Sequence, residues 1–137
     1  MDLLDFVPKT DTIVVQLTPP GLDKPLENKD GSVMSITLFA PYTDQYQGAM
    51  SALVKEGLAQ AKAADEAGDE YDPTEPENLR MKSAEFLSSI TVDWNITMGG
   101  EQLSFSVEKA KEVYSTVFWI RPLIEGELKD STVFTNA

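Results

Sequence analysis

The chain of 137 residues contains neither cysteine nor histidine. Without cysteine it forms no disulfide and offers no thiolate to a metal ion. Without histidine it lacks the usual general base, the commonest metal ligand and the usual pH switch. A purely carboxylate enzyme is the one catalytic class that these absences leave open. We therefore expect a protein that is not an enzyme and that has neither a cofactor nor a metal centre.

Positive charge is scarce as well. Eleven lysines and arginines face 23 aspartates and glutamates, and the formal net charge is −12. Such a chain repels DNA, RNA and anionic lipid, so we expect no direct contact with nucleic acid or membrane. The acidity is compatible with a basic protein partner, with mimicry of nucleic acid, or with solubility alone.

Long apolar runs are also missing. No run approaches the roughly 18 apolar residues that a membrane-spanning helix needs. The first ten residues, MDLLDFVPKT, lack a basic start, and Asp5 and Pro8 interrupt their apolar run, which is unlike a signal peptide. We therefore expect a soluble, intracellular protein. The length and an apolar content of 42% indicate a single domain, residues 1–137, with a real core.

The first half of the chain predicts a β-hairpin and a long helix. The β-branched run at 12–17 and the alternating run at 33–39 are typical of strands, which we expect to pair antiparallel. Thr43 is a suitable N-cap for a helix from Asp44 to about Ala67. Apolar side chains at helical spacing predict one stripe along that helix: Tyr46, Met50, Leu53, Val54 and Leu58.

An acidic segment follows at 65–77. It contains seven acidic residues and no basic one, with Gly68, Pro73 and Pro76 as helix breakers. This composition predicts an exposed loop that is either solvated or directed toward a partner. Calcium binding is the alternative, but the acids do not follow the alternating ligand spacing of a calcium-binding helix-loop-helix.

The second half predicts a helix, a short hairpin and further helices. Leu79 to Ile90 has helical periodicity, and a period-two pattern then follows, with Gly99-Gly100 as the hairpin turn. The apolar residues of that pattern are Ile90, Val92, Trp94, Ile96 and Met98, continued by Leu103 and Phe105 on the far side. The hairpin is expected to present Trp94, Ile96, Met98, Leu103 and Phe105 on one face, most of which we expect to be core. The resulting fold class is α+β.

The last third of the chain predicts two helices and a tail. Ser106 is expected to cap a helix from Val107 to about Thr116. In the apolar segment that follows, Arg121-Pro122 suits a helix start. The tail at about 129–137 is expected to be flexible, with Phe134 either docked on the body or offered to a partner.

Three segments in this order carry a resemblance. They are ITLFAPYTDQY at 36–46, the predicted helix 79–90 running into Val92-Asp93-Trp94, and GGEQLSFSVEKA at 99–110 followed by Phe118-Trp119-Ile120 and Phe134. In order and spacing they resemble the small tail assembly chaperones of long-tailed bacteriophages. The resemblance extends over most of the chain.

The resemblance implies a function and a location. Proteins of this family coat the tape-measure protein, keep its apolar helices soluble and help to recruit tail-tube subunits in the host bacterial cytoplasm. They are usually absent from the finished virion. The competing interpretations are a structural minor tail or virion component, an acidic inhibitor that mimics DNA, and a carboxylate enzyme.

On this interpretation, an apolar groove between helices accepts amphipathic tape-measure helices. Residues in such a pattern are more often core than groove, and periodicity alone does not separate the two. The candidate lining is Met50, Leu53, Phe118, Trp119, Ile120 and Leu123. Asp69, Glu70 and Asp72 of the acidic segment are expected to steer basic partner segments, and self-association through the same surface is the alternative use.

Overall fold

The structure is a computed structural model that describes residues 2–6, 10–68 and 75–131. After a short 3-10 helix at Leu3–Phe6, the first two strands are β1 (Thr12–Gln16) and β2 (Ser35–Phe39). They pair antiparallel with Val15 opposite Ile36, which confirms the predicted N-terminal hairpin. Alternate side chains of both strands point into the core, as expected for a sheet with one covered face.

A third strand joins this sheet from far along the chain. The strand β3 (Thr91–Asn95) pairs antiparallel with β2, so the order in the sheet is β1-β2-β3. The period-two pattern from Ile90 to Met98 is therefore not one continuous strand. It is interrupted at Ile96, and only β4 (Thr97–Met98) forms the short hairpin with β5 (Glu101–Gln102).

The turn of that short hairpin is the one that the two glycines predict. Gly99 and Gly100 have φ angles of +65° and +83°. Two successive residues in the left-handed region are what a type I′ hairpin turn requires, and glycine adopts that region without a steric penalty. The partner strand β5 is shorter than predicted. It ends at Gln102, whereas Leu103 and Phe105 lie after the strand.

A bulge in β3 places Val92 on the exposed side of the strand. Thr37 lies opposite Asp93, but Leu38 lies opposite Thr91, so β3 contains one extra residue at this point. An extra residue exchanges the two faces of a strand on one side of it. Val92 is therefore 39% exposed while Thr91 is buried.

Four helices complete the fold: α1 (Asp44–Glu66), α2 (Pro76–Ser89), α3 (Val107–Thr116) and α4 (Ile120–Asp130). The side chain of Ser106 accepts a hydrogen bond from the backbone N–H of Lys109 at 3.1 Å, which confirms the predicted cap of α3. α2 begins at Pro76, earlier than the predicted Leu79, because proline suits the first helical position.

The predicted acidic loop and tail are consequently shorter. Asp65 and Glu66 belong to α1, and Glu77 belongs to α2. Residues 69–74 of the acidic segment lie outside the described residues. Of the predicted tail, Lys129 and Asp130 belong to α4, and residues 132–137, with Phe134, lie outside the described residues.

The core lies between the inner face of the sheet and the helices α2, α3 and α4. Its largest members with almost no exposed surface are Tyr114, Ile36, Leu38, Leu87, Ile90 and Ile124. Trp94 and Ile96 are buried as predicted, and Met98, Leu103 and Phe105 pack against the core with part of their surface exposed. The fold is thus a two-layer α+β arrangement to which α1 contributes little.

Candidate functional site

The helix α1 carries an apolar surface that the rest of the described chain does not cover. None of its 23 residues, all of which the structure describes, is buried. Met50, Val54 and Leu58 are 37%, 56% and 68% exposed, and they form one row along the helix because they are four residues apart. We call these three residues the α1 ridge.

The first two turns of α1 are anchored to the body by a helix cap and an aromatic contact. Thr43 caps the helix: its Oγ1 accepts a hydrogen bond from the N–H of Tyr46 at 3.1 Å and donates one to the carbonyl of Ala40 at 2.7 Å. The ring of Tyr46 meets the ring of Phe86 edge-on at a centroid distance of 5.1 Å. Burial raises the pKa of Tyr46, and the negative charge of Glu125 raises it further.

Beyond this base, α1 and α2 run side by side with open space between them. Two hollows of about 310 and 280 Å³ lie along the gap, and Glu85 lines both. We call the two hollows together the α1–α2 groove. Three alanines and three larger side chains line it from α1, namely Ala49, Ala52, Leu53, Glu56, Gln60 and Ala63.

One lysine bridges the groove. Nζ of Lys82 lies 3.1 Å from Oε1 of Glu56 on α1 and 3.7 Å from Oε2 of Glu85 on its own helix. Both carboxylates are partly exposed, so each ion pair contributes only about 0.2–1 kcal/mol. This contact positions α1 against α2 without closing the space between them.

The two ends of the groove differ in charge. Ala63 and Asn78 line the same hollow, so the C-terminal end of α1 and the N-terminal end of α2 lie together. Asp65 and Glu66 occupy the last turn of α1. Glu75 and Glu77 stand at the start of α2. These four carboxylates lie at the helix ends next to the groove, and none of them is part of its lining.

The predicted lining residues do not gather in one place. Leu53 lines the α1–α2 groove, whereas Trp119 and Ile120 line a different cavity of about 110 Å³ beneath the β4–β5 hairpin. Ile120 is a core residue and Leu123 packs against the core. Met50 belongs to the α1 ridge. Asp69, Glu70 and Asp72 lie outside the described residues.

Phe118 stands apart from both cavities. It lies in the turn between α3 and α4 and is 72% exposed. Its neighbour Trp119 is half-buried against the core. The second cavity has room for one apolar side chain, and its walls include Leu17, Met34, Met98 and Val117.

The sequence places Val54 and Leu58 in one apolar stripe along the helix, but neither is among the predicted site residues. A signal was available. Tyr46, Met50, Val54 and Leu58 are all four residues apart, and such a row drifts by 40° per step around a helix with 100° per residue. A core-facing stripe alternates steps of three and four. Leu79 and Met81 on α2, 54% and 55% exposed, were also missed.

The described residues offer little for chemistry. Within residues 2–6, 10–68 and 75–131, no three acidic side chains converge in a way that could hold a metal ion. None of the helices that the structure describes has both the length and the apolar character to cross a bilayer. The arrangement of exposed apolar surface beside an open groove is instead suited to binding another polypeptide.

Comparisons with protein-family models, with curated proteins and with solved structures found no match to this chain. The interpretation of the site therefore depends on its own geometry and charge.

Proposed function

We propose that this protein is a phage tail assembly chaperone that binds amphipathic helices of the tape-measure protein on the α1 ridge and in the α1–α2 groove. The role is that of a protein-binding module and not of an enzyme. The bound segments are kept soluble until tail-tube subunits assemble around them. This proposal joins the resemblance of the sequence to the exposed face of α1.

The observation that carries the proposal is a long helix with apolar side chains and no buried residue. A helix of 23 residues is about 34 Å long, and beyond its capped first turns the partly exposed ion pair between Glu56 and Lys82 joins it to α2. Val54 and Leu58 are 56% and 68% exposed, so covering them with a partner is worth about 1–2 kcal/mol for each side chain. This stabilisation is available only when a partner binds, because both side chains remain exposed in the folded chain.

The net negative charge of the chain also favours a protein partner. A net charge of −12 repels nucleic acid and favours proteins with basic segments. It also opposes the approach of a second copy of the same chain. A basic amphipathic helix from another protein is therefore a better occupant of this surface than a self-associated dimer.

The test is co-expression with the tape-measure protein of the phage that encodes this chain, followed by pull-down and size-exclusion chromatography. We expect a co-eluting complex that keeps the tape-measure protein soluble. The double variant V54Q/L58Q should lose the complex, whereas V14Q/L22Q should retain it. The control makes the same chemical change at Val14 and Leu22, which are 61% and 55% exposed on other parts of the molecule.

Two results would contradict the proposal. One is the absence of a complex together with the presence of this protein in purified virions, which would make it a structural tail component. The other is equal loss of the complex in both double variants, which would mean that the α1 ridge has no special part in binding.

A further inference from the structure

We propose that a further hollow, at the base of α1, is the docking site of the C-terminal segment of the same chain, with Phe134 as the side chain that fills it. The hollow lies where the start of α1 meets α2 and α4, and we call it the α4 hollow. It is separate from the α1–α2 groove, with which it shares only Phe86. Its apolar and aromatic lining is Pro41, Tyr46, Phe86, Leu87 and Leu128.

The α4 hollow is large enough for an aromatic ring. Its volume is about 310 Å³, and roughly 150 Å³ is enough to hold one benzene ring. Tyr46 and Phe86, which meet edge-on at a centroid distance of 5.1 Å, both line it. A third ring beside them adds aromatic contacts of the same favourable kind. Leu87 and Leu128 are buried, so the hollow has a fixed apolar wall.

The chain leaves α4 next to this hollow. Leu128 and Lys129, in the last turn of α4, line the hollow, and the helix ends at Asp130. Phe134 follows the C-cap, Ser131, by three residues. Three residues of extended chain span about 10 Å, which is nearly two turns of helix. Phe134 therefore reaches back to the level of Leu128 without any movement of the described residues.

The composition of the segment suits the hollow. Residues 131–137, STVFTNA, contain no charged side chain, although the chain as a whole has a net charge of −12. The segment can therefore approach the acidic body without electrostatic repulsion. The hollow has one carboxylate, from Glu125, and one ammonium group, from Lys129, so its own charge is balanced. Phe134 is the one aromatic residue of the segment.

A tethered occupant has an advantage over one from another molecule. A short flexible tether gives the attached group an effective concentration in the millimolar range. A side chain from a partner or from a second copy must instead offset the loss of translational and rotational freedom on association. The two residues between Ser131 and Phe134 form such a tether.

Docking of Phe134 joins the end of the chain to the base of α1. The ring covers Tyr46, whose backbone N–H is already held by the Thr43 cap. The C-terminal segment then acts as a strap that holds the first turns of α1 against α2 and α4. The outer turns of α1, with the α1 ridge, are not part of this contact.

NMR spectroscopy of the full chain tests the contact. With leucine methyl groups and phenylalanine rings labelled, we expect nuclear Overhauser effects between the ring of Phe134 and the methyl groups of Leu87 and Leu128. These signals should disappear in Phe134→Ala. The ring of Phe118 is the control in the same sample. It lies at the opposite end of α4 and should show no such effect to Leu128.

Hydrogen exchange measures the strap. Phe134→Ala should speed amide exchange severalfold in the first turns of α1, at residues 46–50, because their local opening becomes easier. Phe118→Ala makes the same chemical change at an exposed position and should leave these rates unchanged. Phe134→Leu should keep part of the protection, since leucine also fills an apolar hollow.

Three results would overturn the proposal. One is the absence of contacts between Phe134 and the two leucines. Another is contacts that occur only between labelled and unlabelled chains in a mixed sample, which would make a second copy the occupant. The third is a change at Leu87 and Leu128 only on addition of the tape-measure protein, which would assign the hollow to that partner. All the spectra that support the proposal come from the chain alone, so it stands or fails independently of the proposed function.

Discussion

Tyr114 is the residue whose ionisation most affects the stability of this fold. Its hydroxyl lies 2.7 Å from Oγ1 of Thr91 in the core, and burial raises its pKa to about 12 from 10.0. A raised pKa in the folded state means that stability is complete below pH 10 and is lost as the pH rises toward 12. In that window the unfolded chain releases the proton and the folded chain keeps it.

We therefore expect the free energy of unfolding to fall by about 1.4 kcal/mol per pH unit between pH 10 and 12. Urea unfolding followed by tryptophan fluorescence measures this slope. Tyr114→Phe should weaken it markedly and should cost about 1 kcal/mol at pH 7 through the lost hydrogen bond. Tyr42→Phe should leave the slope in place, because Tyr114 is still present. An unchanged slope in Tyr114→Phe would show that other groups cause the alkaline instability.

Asn28 is a buried polar residue in the loop between β1 and β2, and its hydrogen bonds join that loop to the second half of the chain. Its Nδ2 donates to the carbonyl of Asn95 at 3.3 Å, and its Oδ1 accepts from the hydroxyl of Thr97 at 2.6 Å. Nearby, hydrogen bonds from Ser32 lower the pKa of the exposed Asp30. The network therefore joins segments that are more than 60 residues apart.

Asn28→Ala should destabilise the protein by about 1–3 kcal/mol, because it leaves buried polar groups without a partner. Thr97→Val should cost less, and the double variant should cost less than the two single changes together. Urea midpoints of the four proteins measure this coupling. Strict additivity would mean that the 2.6 Å contact contributes nothing of its own.

At the scale of the elements, α1 and α2 use their apolar residues in opposite ways. Leu58 on α1 is 68% exposed, whereas Leu87 on α2 is 1% exposed. Leu58→Gln should change the free energy of unfolding by no more than about 0.5 kcal/mol. Leu87→Ala should cost about 2–5 kcal/mol, because it leaves a cavity in the core. Thermal unfolding of both variants is the measurement, and a large loss for Leu58→Gln would mean that α1 packs more closely than described.

Local signals in the sequence predicted the elements but not their associations. Thr43, Ser106 and Gly99-Gly100 act through hydrogen bonds or backbone angles within a few residues, and all three were predicted at the correct positions. The addition of β3 to the first hairpin depends on contacts between residues more than 50 positions apart, which periodicity does not encode. The bulge at Val92 is a consequence of the same pairing.

The candidate site was predictable only in part, for a related reason. Helical spacing identified Met50, Leu53, Val54 and Leu58 as one apolar set, but spacing does not say whether another element covers it. Ile120, which was expected in the same groove, is instead a core residue. Burial is a property of the assembled fold, and only the structure separated the two groups.

At the scale of the whole molecule, the charge of −12 should govern how fast a basic partner arrives. About half of that charge lies between residues 43 and 76. Replacing Asp69, Glu70 and Asp72 with serine should slow association with a basic partner severalfold at low salt and have little effect at 300 mM salt. Stopped-flow kinetics with a synthetic lysine-rich helical peptide checks this, and an unchanged rate at low salt would refute steering by these acids.

The slight attachment of α1 has an evolutionary and practical consequence. Because the helix contributes no buried residue and the weak Glu56–Lys82 ion pair joins its outer half to α2, that half can change in sequence or length with little effect on the stability of the body. Substitutions in the outer half of α1 could therefore change which partner is bound while the rest of the fold stays the same. Chimeras that keep residues up to Ala49 and replace the outer turns of α1 should therefore fold normally while acquiring new binding preferences.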